Sequence, residues 1–142
     1  MRKHTCGAHP DIRDYGCEPF ILNIRHATEK NENFRTALWT GRHLQLTLMS
    51  IPVRGDIGTE MHRDVDQFLC VEDGRAKVYL GTDHTTLKEV ALVEQNDAIL
   101  LPAGTWHNVV NVGTRPLKLY SLYAPPQHPR GTVHRTKEEA GE

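Results

Sequence analysis

The sequence predicts an all-β fold. Three observations carry that expectation. Apolar runs are short, turn residues separate them at close and regular spacing, and almost no segment has a helical period. Phe20 to Ile24 (Phe-Ile-Leu-Asn-Ile) has strand-like apolar content, and the polar stretch His26 to Asn33 suits one or two helical turns. Thr36 to Thr40 reads as a short strand ended by Gly41. His43 to Ile51 alternates polar and apolar for most of its length, the period of a strand with one face of each kind. Pro52 to Gly58 is a loop. Gln67 to Val71 and Arg75 to Leu80 flank Asp73-Gly74, a hairpin signal. Leu87 to Val93, Ala98 to Leu101, Trp106 to Val112 and Leu117 to Tyr123 complete the strands, and Pro125, Pro126 and Pro129 end the sheet. Arg135 to Ala140 suits a short helical tail. No repeat points to a solenoid or propeller.

Length and charge narrow the function. A chain of 142 residues is one domain, and 38% hydrophobic against 25% charged residues suffices for a core. Seventeen basic and eighteen acidic residues give a net charge of -1, which argues against a nucleic-acid binder, since no excess cation is available to displace counterions. No apolar run approaches the roughly 20 residues that span a bilayer, so no membrane role is expected. The start, Met1 to Pro10, lacks an apolar signal core. Three cysteines (Cys6, Cys17 and Cys70) leave at least one thiol outside any intrachain pair, and the simplest setting is the reducing cytoplasm. Nine histidines hint at metal or proton chemistry.

Two segments carry the chemistry. In the first, Glu60 and His62 are two residues apart, so on a strand they point the same way, and both can reach one ion at about 2.0 to 2.2 Å. Gln67 begins the next strand and can face the same point. The second segment, Asp97 to Asn111, places His107 just after the tight turn Pro102-Ala103-Gly104.

These segments resemble the paired motifs of the cupin superfamily. The first cupin motif reads His-x-His, three or four residues, Glu, six residues, Gly. Here Glu60-x-His62, four residues, Gln67, six residues and Gly74 keep the spacing, with Glu for the first His and Gln for the Glu. The second motif reads Pro-x-Gly, two residues, His, three residues, Asn, and Pro102, Gly104, His107 and Asn111 match every position. Asn96 stands where that motif's leading Gly is expected. The resemblance spans roughly residues 35 to 124. It is closest to a bacterial subgroup labelled mannose-6-phosphate isomerase-like.

The resemblance implies a double-stranded β-helix, a jelly-roll-like barrel, over residues 20 to 124. A polar N-terminal arm (1 to 19) precedes it and a C-terminal tail (125 to 142) follows. It implies one divalent transition metal ion (Zn, Mn, Fe or Ni) at the barrel mouth, held by Glu60, His62, Gln67 and His107. Gln67 either supplies a neutral oxygen to the ion or hydrogen-bonds another ligand from behind. Two imidazoles and a carboxylate leave a divalent ion with net positive charge, a Lewis acid for oxygen ligands.

The expected function is a metal-dependent enzyme acting on a small oxygenated molecule, in the manner of an aldose–ketose isomerase on a sugar or sugar phosphate. The resembled phosphomannose isomerases also place two His, one Glu and one Gln around zinc, in a different chain order. An Fe- or Mn-dependent dioxygenase and a non-enzymatic metal- or metabolite-binding module are the rivals. Asp66 is the candidate base, with a turn-capping role as its alternative. Trp39, His43, Gln45, Thr47, Met49 and Tyr120 are the substrate-pocket candidates. Tyr120 and Tyr123 fall on opposite strand faces, so one of them faces inward. Arg35 and Arg42 are the cations nearest a phosphate. His128 and His134 lie in a tail that is either solvated or folded over the mouth. Cupins commonly pair through their sheets, and Phe20 to Ile24 offers an edge for a homodimer.

Overall fold

The computed structural model describes residues 14 to 141. Nine strands and one helix follow in chain order: α1 (Ile24–Lys30), β1 (Arg35–Thr40), β2 (Gln45–Ile51), β3 (Asp66–Asp73), β4 (Arg75–Gly81), β5 (Lys88–Glu94), β6 (Ala98–Leu101), β7 (Trp106–Asn111), β8 (Leu117–Ala124) and β9 (Val133–His134). They form two antiparallel sheets, one in the order β6-β3-β8-β2-β1-β9 and one in the order β5-β4-β7. The segment before β3 runs beside β7 through bridges Asp56–Val110 and Glu60–His107, which widens the smaller sheet. This is the all-β double-stranded β-helix expected from the sequence.

Register decides which residues face inward. Gln67, Tyr123 and Gln45 lie side by side across β3, β8 and β2, and so do Leu69, Ser121 and Thr47. Val71, Leu119 and Met49 form the next row, and Leu117 pairs with Ile51. The inner face is therefore polar at one end of the strands and apolar at the other. The apolar end, with Ile51, Leu69, Val71, Val78, Val109, Leu117 and Leu119, is sealed from water. Each such side chain contributes roughly 1.5–3 kcal/mol of burial free energy. The polar end then rests on a packed floor.

Two turns hold unusual backbone. Asn96 has φ +74°, and its N–H donates to the Val71 carbonyl at 2.9 Å. Asn tolerates this left-handed conformation better than most non-glycine residues, which explains how it replaces the Gly of the resembled motif. Gly104 has φ +85°, and its N–H donates to the His62 carbonyl at 2.8 Å, so the Pro102–Gly104 turn is fastened to the first motif.

Three expectations change. Phe20 to Asn23 is not a strand: it leads into α1, whose Asn23 side chain caps the helix by accepting from the His26 N–H. The edge expected there for a homodimer is absent. Arg135 to Ala140 forms turns, not a helix. The C-terminal segment is also not a solvated tail: β9 pairs with β1, and Lys137 pairs with Asp56. Asp14, the first described residue, is buried. Its carboxylate accepts from the N–H groups of Gly16, Thr40 and Gly131. The rest of the expected arm, including Cys6, lies outside the described residues. Cys17 is disulfide-bonded, and Cys70 is a free buried thiol on β3. No described helix is long and apolar enough to cross a membrane.

Candidate metal centre

Glu60 and His107 face each other across an antiparallel bridge. The Glu60 N–H donates to the His107 carbonyl at 3.0 Å, and the His107 N–H returns the bond at 2.9 Å. That pairing puts both side chains on one face, and His62, two residues beyond Glu60, shares it. Glu60 Oε1 lies 3.3 Å from His107 Nε2 and 3.4 Å from His62 Nε2. Among the described residues, Glu60, His62 and His107 form a group whose ligand atoms all lie within 4.8 Å of one another. Donor atoms that share an ion at about 2.0–2.2 Å sit about 3–3.5 Å apart, so the two closest separations already suit one.

The hydrogen-bond pattern sharpens the fit. His107 Nδ1 is 2.9 Å from the Thr105 carbonyl oxygen, which can only accept. Nδ1 therefore carries the proton, and in the neutral ring the Nε2 lone pair points at a carboxylate. A cation between them relieves that conflict. His62 is buried, and its Nε2 has no hydrogen-bond partner. Burial pushes the Glu60 carboxyl up, but the adjoining imidazoles, His107 first and then His62, outweigh it and hold it at about 2. Glu60 is thus ionised at neutral pH and ready to bind a cation.

Gln67 is buried on the same inner face and lines a small hollow with His62, Thr105 and His107. Its Nε2 donates to Ser121 Oγ at 2.8 Å, while its Oε1 is buried without a partner. Tyr123 is the inward tyrosine: it is fully buried, and its ring meets His62 edge-on at 5.5 Å. Tyr120, the pocket candidate, lies on the outer face, with its ring 6.3 Å from that of Phe68.

The other candidates divide. Gln45, Thr47 and Met49 are buried on the inner face. His43 precedes β2 and is exposed, and Arg42 is exposed as well. Trp39 follows an irregularity in β1, and its Nε1 donates to the Glu18 carbonyl at 2.8 Å. Asp66, the candidate base, is exposed and alternates with Gln67, so it points away from the inner face. Its Oδ1 accepts from the Ala103 N–H at 2.8 Å, which makes it the fastener of the Pro102–Gly104 turn. Asn111 of the second motif is also structural. Its buried amide donates to the carbonyls of Ile51, Pro52 and Arg115.

One residue that motif spacing did not place at the site is His128. Gln45 holds its backbone from both sides, donating to the His128 carbonyl at 2.8 Å and accepting from its N–H at 2.9 Å. The His128 ring meets Tyr123 edge-on at 5.2 Å, on the same residue that touches His62. Local sequence carries no signal for this clamp, because 83 positions separate its two ends.

The cupin domain family matches residues 47 to 123, over half of the chain. The chain belongs to the cupin superfamily. This cupin is 56% identical to the Bacillus subtilis protein YrkC over 129 residues, covering 91% of this chain and 69% of YrkC. It is 37% identical to the L612 protein of Acanthamoeba polyphaga mimivirus, covering 86% of this chain and 75% of L612. Among solved structures, BH2720 of Bacillus halodurans superposes with a TM-score of 0.89 at 58% identity, covering 92% of this cupin and 98% of BH2720.

Proposed function

We propose that this cupin is a metal-dependent enzyme for a small oxygenated molecule, with one divalent transition metal ion held by Glu60, His62 and His107 and by the Gln67 oxygen. The observation that carries the reading is the Glu60–His62–His107 group, with the His107 Nε2 lone pair aimed at the Glu60 carboxylate, the buried His62 Nε2 3.4 Å from it, and the partnerless Gln67 Oε1 beside them. Bound there, the ion supplies a Lewis acid for oxygen ligands. The chain supplies the rest. Gln67 is fixed by Ser121, Tyr123 packs behind His62, and the Glu60 side chain, 18% exposed, marks where the site meets solvent.

The polar inner face, with Gln45, Thr47, Gln67 and Ser121, offers hydrogen bonds to a hydroxy-carbonyl compound, the substrate class of an isomerase. The resemblance to the mannose-6-phosphate isomerase-like subgroup supports the same class. A dioxygenase is the second reading, because two histidines and one carboxylate are the set common to non-haem iron oxygenases. The test is a panel of small hydroxy-carbonyl compounds given to metal-loaded protein in heavy water, with dissolved oxygen monitored. Deuterium entering the carbon beside the carbonyl, without oxygen loss, is the expected result. Oxygen consumption replaces the isomerase reading with the dioxygenase, and neither response makes the protein a binding module.

A further inference from the structure

Ile57 and Glu60 are three positions apart, yet both side chains face the barrel interior. Ile57 is buried in the apolar core, and Glu60 lies across from His107 at the candidate metal centre. A regular strand turns such a pair to opposite faces. The ladder with β7 explains the difference. Asp56 pairs with Val110, and Glu60 pairs with His107. Residues 57 to 59 therefore stand opposite residues 108 and 109 alone, which is a β-bulge. The Ile57 N–H donates to the Val109 carbonyl at 3.0 Å, so the extra residue falls at Gly58–Thr59. Gly58 has φ +92°, a conformation that glycine adopts at no steric cost.

Asp56, which alternates with the inward Ile57, holds this bulge from the outer face. Its Oδ2 accepts from Asn108 Nδ2 at 2.9 Å, and Asn108 is the residue of β7 that faces the extra one. Its Oδ1 accepts from Lys137 Nζ, on the turns that follow β9. Burial pushes the Asp56 carboxyl up, but the bonds from Lys137 and then Asn108, the charge of Lys137 and the Gly58 N–H outweigh it and hold it below the usual carboxylate range. One carboxylate thus joins the bulged segment to the strand opposite and to the C-terminal turns. A bulge leaves its extra residue outside the ladder, so side-chain contacts of this kind set its geometry.

We propose that Asp56 is a positioning residue of the metal centre: it fixes the Gly58–Thr59 bulge, and the bulge turns Glu60 inward to His62 and His107. The functional consequence rests on the reading of Glu60 as a metal ligand. The hold of Asp56 on Glu60 is a property of the chain with or without an ion. Lys137 brings the C-terminal segment into the same arrangement, so that segment supports the metal centre from outside the barrel.

The test uses the full chain, with zinc as the probe. Chelator competition gives the zinc dissociation constant. Hydrogen exchange read by NMR on metal-free protein follows the Glu60 and His107 amides, each of which donates to the other's carbonyl. Asp56→Ala should weaken zinc binding about tenfold, the lower end for residues that support a ligand, and should quicken exchange at both amides about tenfold. Asp56→Asn keeps an acceptor oxygen and should recover most of both. Thr28→Ala removes a buried hydroxyl that donates to the Ile24 carbonyl in α1, away from the site. It lowers stability and should leave both readings within about twofold of wild type. Zinc affinity or Glu60 exchange within about twofold of wild type in Asp56→Ala, or an equal effect of Thr28→Ala, overturns the proposal. Should Asp56→Ala not fold, Lys137→Met removes one of the two side-chain donors to Asp56, and unchanged Glu60 exchange in that variant overturns the proposal. Absence of zinc binding in wild type overturns the metal reading instead, and Glu60 exchange in Asp56→Ala then decides the positioning by itself.

Discussion

Replacing Gln45 with Leu keeps the volume of a fully buried side chain and removes the clamp on the C-terminal segment. Three hydrogen bonds to that segment are lost: the donation to the His128 carbonyl at 2.8 Å, and the acceptances from His128 at 2.9 Å and Gln127 at 3.1 Å. Each is worth about 0.5–1.5 kcal/mol net. The freed amides regain water as the segment lifts, so the local loss is about 2–3 kcal/mol. Amide exchange at Gln127 and His128 should then quicken about 30- to 150-fold. Gly131, whose N–H donates to Asp14, is an internal control and should keep its protection. Hydrogen exchange read by NMR tests this. His128 protection within about threefold of wild type would refute the claim that Gln45 positions this residue.

Three further outcomes follow from the same geometry. Asn111→Ala strands the carbonyls of Ile51, Pro52 and Arg115 and the Gly113 N–H, and should cost about 2–4 kcal/mol in urea unfolding. Asn96→Ala should cost about 1 kcal/mol at φ +74°, while Asn96→Gly stays within about 0.5 kcal/mol of wild type, again read by urea midpoint. The His128 pKa is lowered on folding from 6.5 to about 4, so between those values the unfolded chain binds more protons. Its contribution to stability is complete above about pH 6.5 and is lost as pH falls to about 4. Melting curves of His128→Phe should be flatter than wild type across that window.

The strands of this cupin were legible because their inner and outer faces differ. The alternation from His43 to Ile51 marked β2, whose odd-numbered side chains Gln45, Thr47, Met49 and Ile51 face inward. The spacing of Glu60, His62 and His107 was legible too, since a strand period and one tight turn suffice to bring them together. Phe20 to Ile24 misled because a short apolar run has no period of its own, and the cap on Asn23 decides the outcome. Tyr120 and Tyr123 are indistinguishable without the strand register. Pairing with both Gln45 and Gln67 puts Tyr123 inside. Asp66 stands beside the motif in sequence, but strand parity turns it outward, onto the Ala103 amide. The C-terminal clamp rests on contacts between residues far apart in sequence, which no local pattern announces.

The most direct measurement is metal content by mass spectrometry on protein purified without a histidine tag, with wild type beside His62→Ala, His107→Ala and Gln67→Ala. Wild type should carry about one transition-metal ion per chain. Both histidine variants should lose that ion, and Gln67→Ala should retain it less well. Wild type free of metal, with none taken up on titration with Mn, Fe, Ni or Zn, would contradict the metal centre and leave the Glu60–His62–His107 group as a hydrogen-bonded cluster within the barrel.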